Sequence, residues 1–138
     1  MMRFLLRLAA LCALSGTAHA SIIPPVSEGV WHAEKVLPAA IESGDFSQID
    51  ELLTPEAVVL SDDGKILAQG PKEIIEYLHR WYAKGNHVSE IYPGYASVIV
   101  FVTRETDHPW DKDYAMVVTC SATKIARIMI VNRNPNLR

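Results

Sequence analysis

The last third of this chain is a succession of strand-forming residues that are apolar on both faces, and this limits what the chain can build. Tyr95 to Arg104 is rich in Val, Ile, Phe and Thr. Tyr114 to Ser121 and Lys124 to Asn132 are similar and are spaced to pair as a hairpin. In the last of these, Ile125, Met129 and Val131 fall on one side, and Ile128 and Ile130 on the other. An antiparallel sheet with one solvated face alternates apolar and polar residues along each strand. Two apolar faces need two covers. Helices from the rest of the chain can supply one. A partner subunit is the economical second cover, so a homodimer through the sheet is expected; loops folded over the outer face are the alternative.

The first half supplies the helices. Ser27 is placed to cap a helix running to about Ser43, in which Val26, Val30, Ala33, Leu37, Ala40 and Ile41 recur at spacings of three and four. Pro38 lies inside that stripe and is expected to kink or split the helix. Gly44 is a terminator. Ser47 and Asp50 form a capping-box pattern for a short second helix ending at Thr54-Pro55. Ala57 to Ser61 reads as a strand, Asp62-Asp63-Gly64-Lys65 as a tight hairpin turn, and Ile66 to Gln69 as the return strand. Gly70-Pro71 opens a third helix with Ile74, Ile75, Leu78, Trp81 and Tyr82 on its apolar face. Val88 to Tyr92 is the first strand of the meander that follows. The order predicts an α+β domain, with three helices in its N-terminal half packed on one face of a strongly curved antiparallel sheet of about six strands.

Residues 1–20 have the signature of a cleavable secretory signal. Arg3 and Arg7 precede the apolar run Leu8 to Leu14, and Ala18-His19-Ala20 is a small-x-small cleavage pattern. The run is too short to span a bilayer, which takes about 20 apolar residues. The expectation is a mature domain of residues 21–138, periplasmic or secreted, without a membrane anchor. Cys120 would then be its single cysteine, so no internal disulfide could form. The chain carries 13 basic and 16 acidic residues, and loss of Arg3 and Arg7 makes it more acidic still. That balance argues against nucleic acid and anionic membrane surfaces as partners.

Three stretches, taken in order, resemble the nuclear transport factor 2-like superfamily in its SnoaL-like and ketosteroid-isomerase-like bacterial branch. They are Glu42-Ser43-Gly44-Asp45 with Ile49, Leu52-Leu53, Thr54-Pro55-Glu56 and Ala57-Val58-Val59; Asp63-Gly64 leading to Gly70, Glu73-Ile74 and Tyr77-Leu78; and Lys124-Ile125-Ala126-Arg127. The resemblance covers nearly all of residues 21–138. It implies a sheet wrapped around helices as a cone, a pocket inside, and frequent dimers. It leaves function open, since one fold hosts many activities.

The catalytic patterns that the resemblance suggests are incomplete. The oxyanion-holding Tyr of the isomerases falls on Leu37, and their Asp base falls near Ser61, with Asp62 one residue away and read as a turn residue. The Arg-x-Asp of the epoxide-hydrolase branch meets Arg104-Glu105-Thr106-Asp107, one residue too long, and its second Asp meets Ile130. His32, His79, His87 and His108 show no metal-ligand spacing, and the run Asp107 to Asp113 reads as a solvated loop with Lys112 in its midst. No metal and no cofactor is expected. Cys120 reads as a buried small hydrophobe.

Trp31, Tyr77, Trp81 and Arg127 are the candidate ligand-binding residues. Tyr77 and Trp81 lie four apart on one helix face, Trp31 lies outside the main stripe of the first helix, and Arg127 is the charge within the last strand. Each has a structural alternative: core for Tyr77 and Trp81, core edge for Trp31, and a snorkelling dimer-edge cation for Arg127. The sequence therefore predicts a domain that binds a small, largely apolar molecule in its cone pocket. Two alternatives stay open. One is a lyase, isomerase or hydrolase using His32 or His79 with a carboxylate such as Glu28 or Glu76. The other is an interaction module for another envelope protein.

Overall fold

The computed structural model describes residues 25–108 and 112–133. The elements are α1 (Glu28–Ser43), α2 (Ser47–Leu52), β1 (Leu53–Leu60), β2 (Ile66–Gln69), α3 (Gly70–Trp81), β3 (His87–Pro93), β4 (Ser97–Thr103), β5 (Asp113–Cys120) and β6 (Ile125–Asn132). No helix among the described residues is long and apolar enough to cross a membrane.

Local signals explain most boundaries. Ser27 Oγ accepts the Val30 N–H at 3.2 Å, which satisfies an orphan donor at the start of α1. Pro38 does not split α1, which runs as one helix across it. Gly44 closes the helix in the left-handed region at φ 77°, its N–H donating to the Ala40 carbonyl at 2.8 Å. A Cβ there would also lie 2.8 Å from the Tyr82 ring. The expected Ser47 cap is corrected. Asp45 Oδ1 accepts the Ser47 N–H at 3.0 Å, so the carboxylate two residues earlier holds the start of α2. Thr54 and Pro55 are likewise strand residues rather than the end of α2. Pro55 is tolerated because the pairing of β1 with β6 skips from Leu53 to Val58, leaving no ladder donor required at that point.

The six strands form one sheet in the order β2-β1-β6-β5-β4-β3. The expectation of an all-antiparallel sheet needs one correction, because β1 and β6 are parallel. The chain leaves the β2 edge, crosses by α3 and starts again at the opposite edge with β3. The meander β3-β4-β5-β6 then returns to lie against β1. The result is a curved, unclosed mixed sheet with the helices on one side.

The core lies between that side and the helices. Val30, Ala33, Leu37, Ala40 and Ile41 of α1, and Ile74 and Leu78 of α3, meet Val59 of β1, Val98, Val100 and Val102 of β4, Met116 and Val118 of β5, and Ile125 and Ile128 of β6. Ile125 belongs to this inner face, not to the face of Met129 and Val131. A bulge sets Thr119 opposite Arg127 but Cys120 opposite Ile125, and so shifts the alternation by one residue. The N-terminal end of α1 comes within touching distance of the β5–β6 turn. A Cβ on Gly29 would lie 2.9 Å from the Lys124 nitrogen and 3.0 Å from the Ser121 oxygen, and the Gly29 N–H donates to the Ala122 carbonyl at 3.1 Å.

Candidate functional site

The inward rows of β4 and β5 lead to one end of the domain, and there they change character. Val98, Val100 and Val102 are succeeded at the same two-residue period by Arg104, which is only 6% exposed. Met116 is preceded by Tyr114, which sits opposite Val102 on β4 and Asn132 on β6. The C-terminal end of α3 brings Trp81 to the same place. The Arg104 guanidinium lies between two rings, 4.4 Å from the Trp81 centroid and 4.3 Å from that of Tyr114. The rings themselves meet edge to face, 5.9 Å apart at 89°. Arg104 Nε donates to Asn86 Oδ1 at 2.9 Å, and its Nη2 donates to the Trp81 carbonyl. Asn86 Nδ2 in turn donates to the Ile41 carbonyl at 3.2 Å. One arginine thus ties together the ends of α1, α3 and β4.

Two polar groups at this end stand out. The indole Nε1 of Trp81 is buried and has no hydrogen-bond partner among the described residues. A buried donor left without a partner costs about 1–3 kcal/mol. Tyr77, one turn earlier on α3, is half-buried, and removal from solvent pushes its phenol above the usual range, while Arg80 and Arg104 pull it back down. Ile130 of β6 also packs against the core at partial burial. The arrangement gathers two aromatic rings, a half-buried phenol and, beneath the surface, an indole N–H without a partner.

Of the four predicted ligand-binding residues, Tyr77 and Trp81 come together here and the other two do not. Trp31 is 51% exposed on the outward side of α1, with the Lys35 ammonium 3.4 Å from its ring centroid and the His32 ring tilted at 50° beside it. Arg127 is exposed on the outer face of the sheet, between Thr119 of β5 and Val58 of β1. Arg104, Tyr114 and Asn86 were not singled out as site residues from the sequence. The period-2 row ending in Arg104 is the signal that could have found them.

The acid–base pairs considered from sequence lie elsewhere. His32 Nε2 and Glu28 Oε1 are 3.9 Å apart on the solvent side of α1, beyond hydrogen-bond distance. His79 packs edge to face on Phe46 and lines an outer groove of about 720 Å³ between α2 and α3, with Asp45, Asp50, Glu51 and Glu76. Leu37 is fully buried, so the core occupies the position where the resemblance asks for a tyrosine. Asp62 is exposed in the β1–β2 turn, whose Gly64 N–H donates to the Ser61 carbonyl at 3.0 Å. Of the run Asp107 to Asp113, residues 109–111 lie outside the described residues. Among the described ones Asp113 accepts the Thr103 hydroxyl at 3.2 Å. Burial pushes the Cys120 thiol up to about 11.

No family model matches the chain by sequence, and no curated protein matches it. Solved structures do. The chain is similar to an NTF-2-like protein of unknown function from Burkholderia xenovorans, with a TM-score of 0.61 at 14% identity over 77% of this chain and 84% of that one. The fold is NTF-2-like. The similarity extends to an epoxide hydrolase of the LEH-like type from M. tuberculosis, with a TM-score of 0.55 at 15% identity over 78% of this chain and 85% of that one. It extends also to a de novo designed protein with a curved β-sheet, with a TM-score of 0.60 at 16% identity over 78% and 89%. The NTF-2-like architecture thus holds for nearly all the described residues, at identities that speak for the fold alone.

Proposed function

We propose that this chain is an exported domain that binds a small, largely apolar molecule carrying a hydrogen-bond acceptor. The ligand's place is the end of the cone formed by Tyr77, Trp81, Tyr114 and Ile130. The observation that carries the reading is the buried Trp81 indole N–H without a partner. A ligand carbonyl or ether oxygen that displaces the side chains over it would satisfy it, while the rings of Trp81 and Tyr114 and the Ile130 side chain supply apolar contact. Arg104 holds the two rings in place and fixes the end of α3 on which Tyr77 and Trp81 stand.

Export rests on the Arg3/Arg7, Leu8 to Leu14 and Ala18-His19-Ala20 pattern. The working unit is taken as a homodimer joined through the sheet's outer face, which carries the apolar residues that the helices do not cover.

Native mass spectrometry of protein purified gently from the culture's periplasmic and medium fractions tests the binding. The expected result is a discrete adduct on a chain beginning at Ser21. Trp81→Phe keeps the ring and removes the N–H, and is expected to weaken ligand binding roughly 3- to 10-fold, the worth of one hydrogen bond. A folded protein with no adduct, whose Trp fluorescence is unmoved by a panel of apolar ketones and ethers, would overturn the reading. A chain retaining residues 1–20 would overturn export.

A further inference from the structure

Two cations meet at the end of the cone, in a chain with 13 basic and 16 acidic residues. Arg104 is buried, with its guanidinium 4.4 Å from the Trp81 ring centroid and 4.3 Å from that of Tyr114. Arg80 follows Tyr77 by three residues on α3, a spacing that makes them neighbours on the helix surface. Burial raises the Tyr77 phenol, and the charges that pull it back down are those of Arg80 and Arg104. The polar groups between these cations can both donate. The Trp81 indole has an N–H and no acceptor, and its N–H has no partner among the described residues. The Tyr77 phenol, held above its usual range, keeps its proton at neutral pH. Residues four apart stand one helical turn from each other on one face. A ligand at this end therefore meets two donors on one side of α3 and a positive field behind them.

We infer that the ligand is a small apolar carboxylic acid bound as its anion, with the carboxylate on the Trp81 N–H and the Tyr77 hydroxyl and the apolar body against Tyr114 and Ile130. This rests on the binding reading given above and narrows it to one head group. A ketone or ether presents one oxygen, whereas a carboxylate presents two and accepts from both donors. A hydrogen bond to an ionised acceptor is also about twice as strong as one to a neutral acceptor. The guanidinium over the indole face adds to the difference, because it draws electron density from the ring and makes the N–H a better donor. A cationic head group would instead meet two like charges. Arg104 acts here as a fixed charge, since its Nε donates to Asn86 and its Nη2 to the Trp81 carbonyl while the two rings lie beside it. The carboxylate reaches the indole, as any acceptor must, by displacing the side chains over it.

Isothermal titration calorimetry of the full exported protein tests the head group with two matched pairs, sodium octanoate against octanamide and sodium benzoate against benzamide. The members of a pair share an apolar body and differ in the charge on the head. The acid of at least one pair is expected to bind roughly tenfold more tightly than its amide. Trp81→Phe is expected to weaken that acid roughly tenfold, the worth of one hydrogen bond to a charged group. Arg80→Gln, at an exposed position that folding does not depend on, is expected to shrink the ratio of acid to amide affinity roughly threefold and to leave the amide unchanged. Amides that bind as tightly as their acids, with both weakened by Trp81→Phe, would overturn the anionic head group and leave the site standing. A ratio unchanged by Arg80→Gln would overturn its electrostatic origin. A preference for the acid that Trp81→Phe leaves intact would put the carboxylate elsewhere on the protein and overturn both the head group and the site. Failure of all four compounds to bind at millimolar concentration, by calorimetry and by tryptophan fluorescence, would do the same.

Discussion

On the inner face of the sheet Val100 sits opposite Met116 beneath α1; on the outer face, one residue along each strand, Ile99 sits opposite Val117 with no described element above it. Both pairs are aliphatic, and propensity cannot tell them apart. What separates them is the rest of the chain: the inner pair is fully buried by helices contributed from the first half, and the outer pair is buried only by its strand neighbours. Secondary structure sets which residues share a face, and only tertiary packing decides which face becomes the core.

Charge substitutions at adjacent residues put this difference to its hardest test. Met116→Lys would place an ammonium in a site without water or partner, and is expected to cost about 4 kcal/mol or more, enough to abolish folding of a domain this size. Val117→Lys, its neighbour, is expected to leave a folded chain with stability changed by about 1 kcal/mol or less, and to lose the dimer. Thermal unfolding followed by circular dichroism, with sedimentation of the same samples, reads both. If Val117→Lys unfolds as readily as Met116→Lys, the outer face is already covered within one chain and the contrast between the faces disappears.

The next effect concerns how the helical cover is seated on the inner face. Gly29→Ala puts a methyl within 2.9–3.0 Å of backbone atoms of Lys124, Ser121 and Thr123. Backbone cannot step aside as a flexible side chain can, so α1 or the β5–β6 turn must shift, at about 1–3 kcal/mol. Chemical denaturation should show a lower midpoint with an unchanged slope. Ser27→Ala, two residues earlier, removes only the cap on Val30 and is expected to cost about 1 kcal/mol. Equal losses for the two would mean that α1 is held by its cap and not by its fit to the turn.

Much of this arrangement is legible in the sequence, and its gaps have identifiable causes. The stripe Val30, Ala33, Leu37, Ala40 and Ile41 is the buried stripe of α1, and the Asp-Gly turn closes β1 on β2 where the residues place it. The parallel pairing of β1 with β6 was not legible, because it follows from where α3 deposits the chain and not from any local pattern. Strand alternation puts Ile125 on the wrong face because a bulge changes the alternation by one residue without changing composition. At the site, the spacing of Tyr77 and Trp81 carried real information, since helix geometry is regular enough for four residues to mean one side. For Arg127 and Trp31 the sequence speaks of chemistry and not of direction. The first lies outward by strand alternation from Ile128, and the second lies outward because the opposite side of α1 is its core stripe. Arg104 reads in the sequence as half of a motif it does not complete. Its continuation of the Val98, Val100, Val102 row was the stronger clue. That the Trp81 indole would be buried without a partner depends on three elements converging, which no local window contains.

The effect that is smallest at pH 9, and grows only above it, lies at the far end of the inner face. Cys120 closes the inward row of β5 beside Ile125, and burial raises its thiol from the ordinary 9.0 to about 11. The unfolded chain therefore releases this proton at lower pH than the folded one does. Between pH 9 and 11 the unfolded state binds fewer protons, and stability falls as pH rises through that interval. At pH 9 the loss is a fraction of about 1 kcal/mol, growing toward pH 11. Other groups titrate in the same range, so the informative quantity is the difference between the parent and Cys120→Ala, whose stability should decline less steeply from pH 9 to 11. A cysteine on the outer face would keep its ordinary value and show no such difference. Identical pH slopes for the two proteins would therefore place Cys120 in contact with water, and would mean that the helical cover stops short of the β5–β6 end of the sheet.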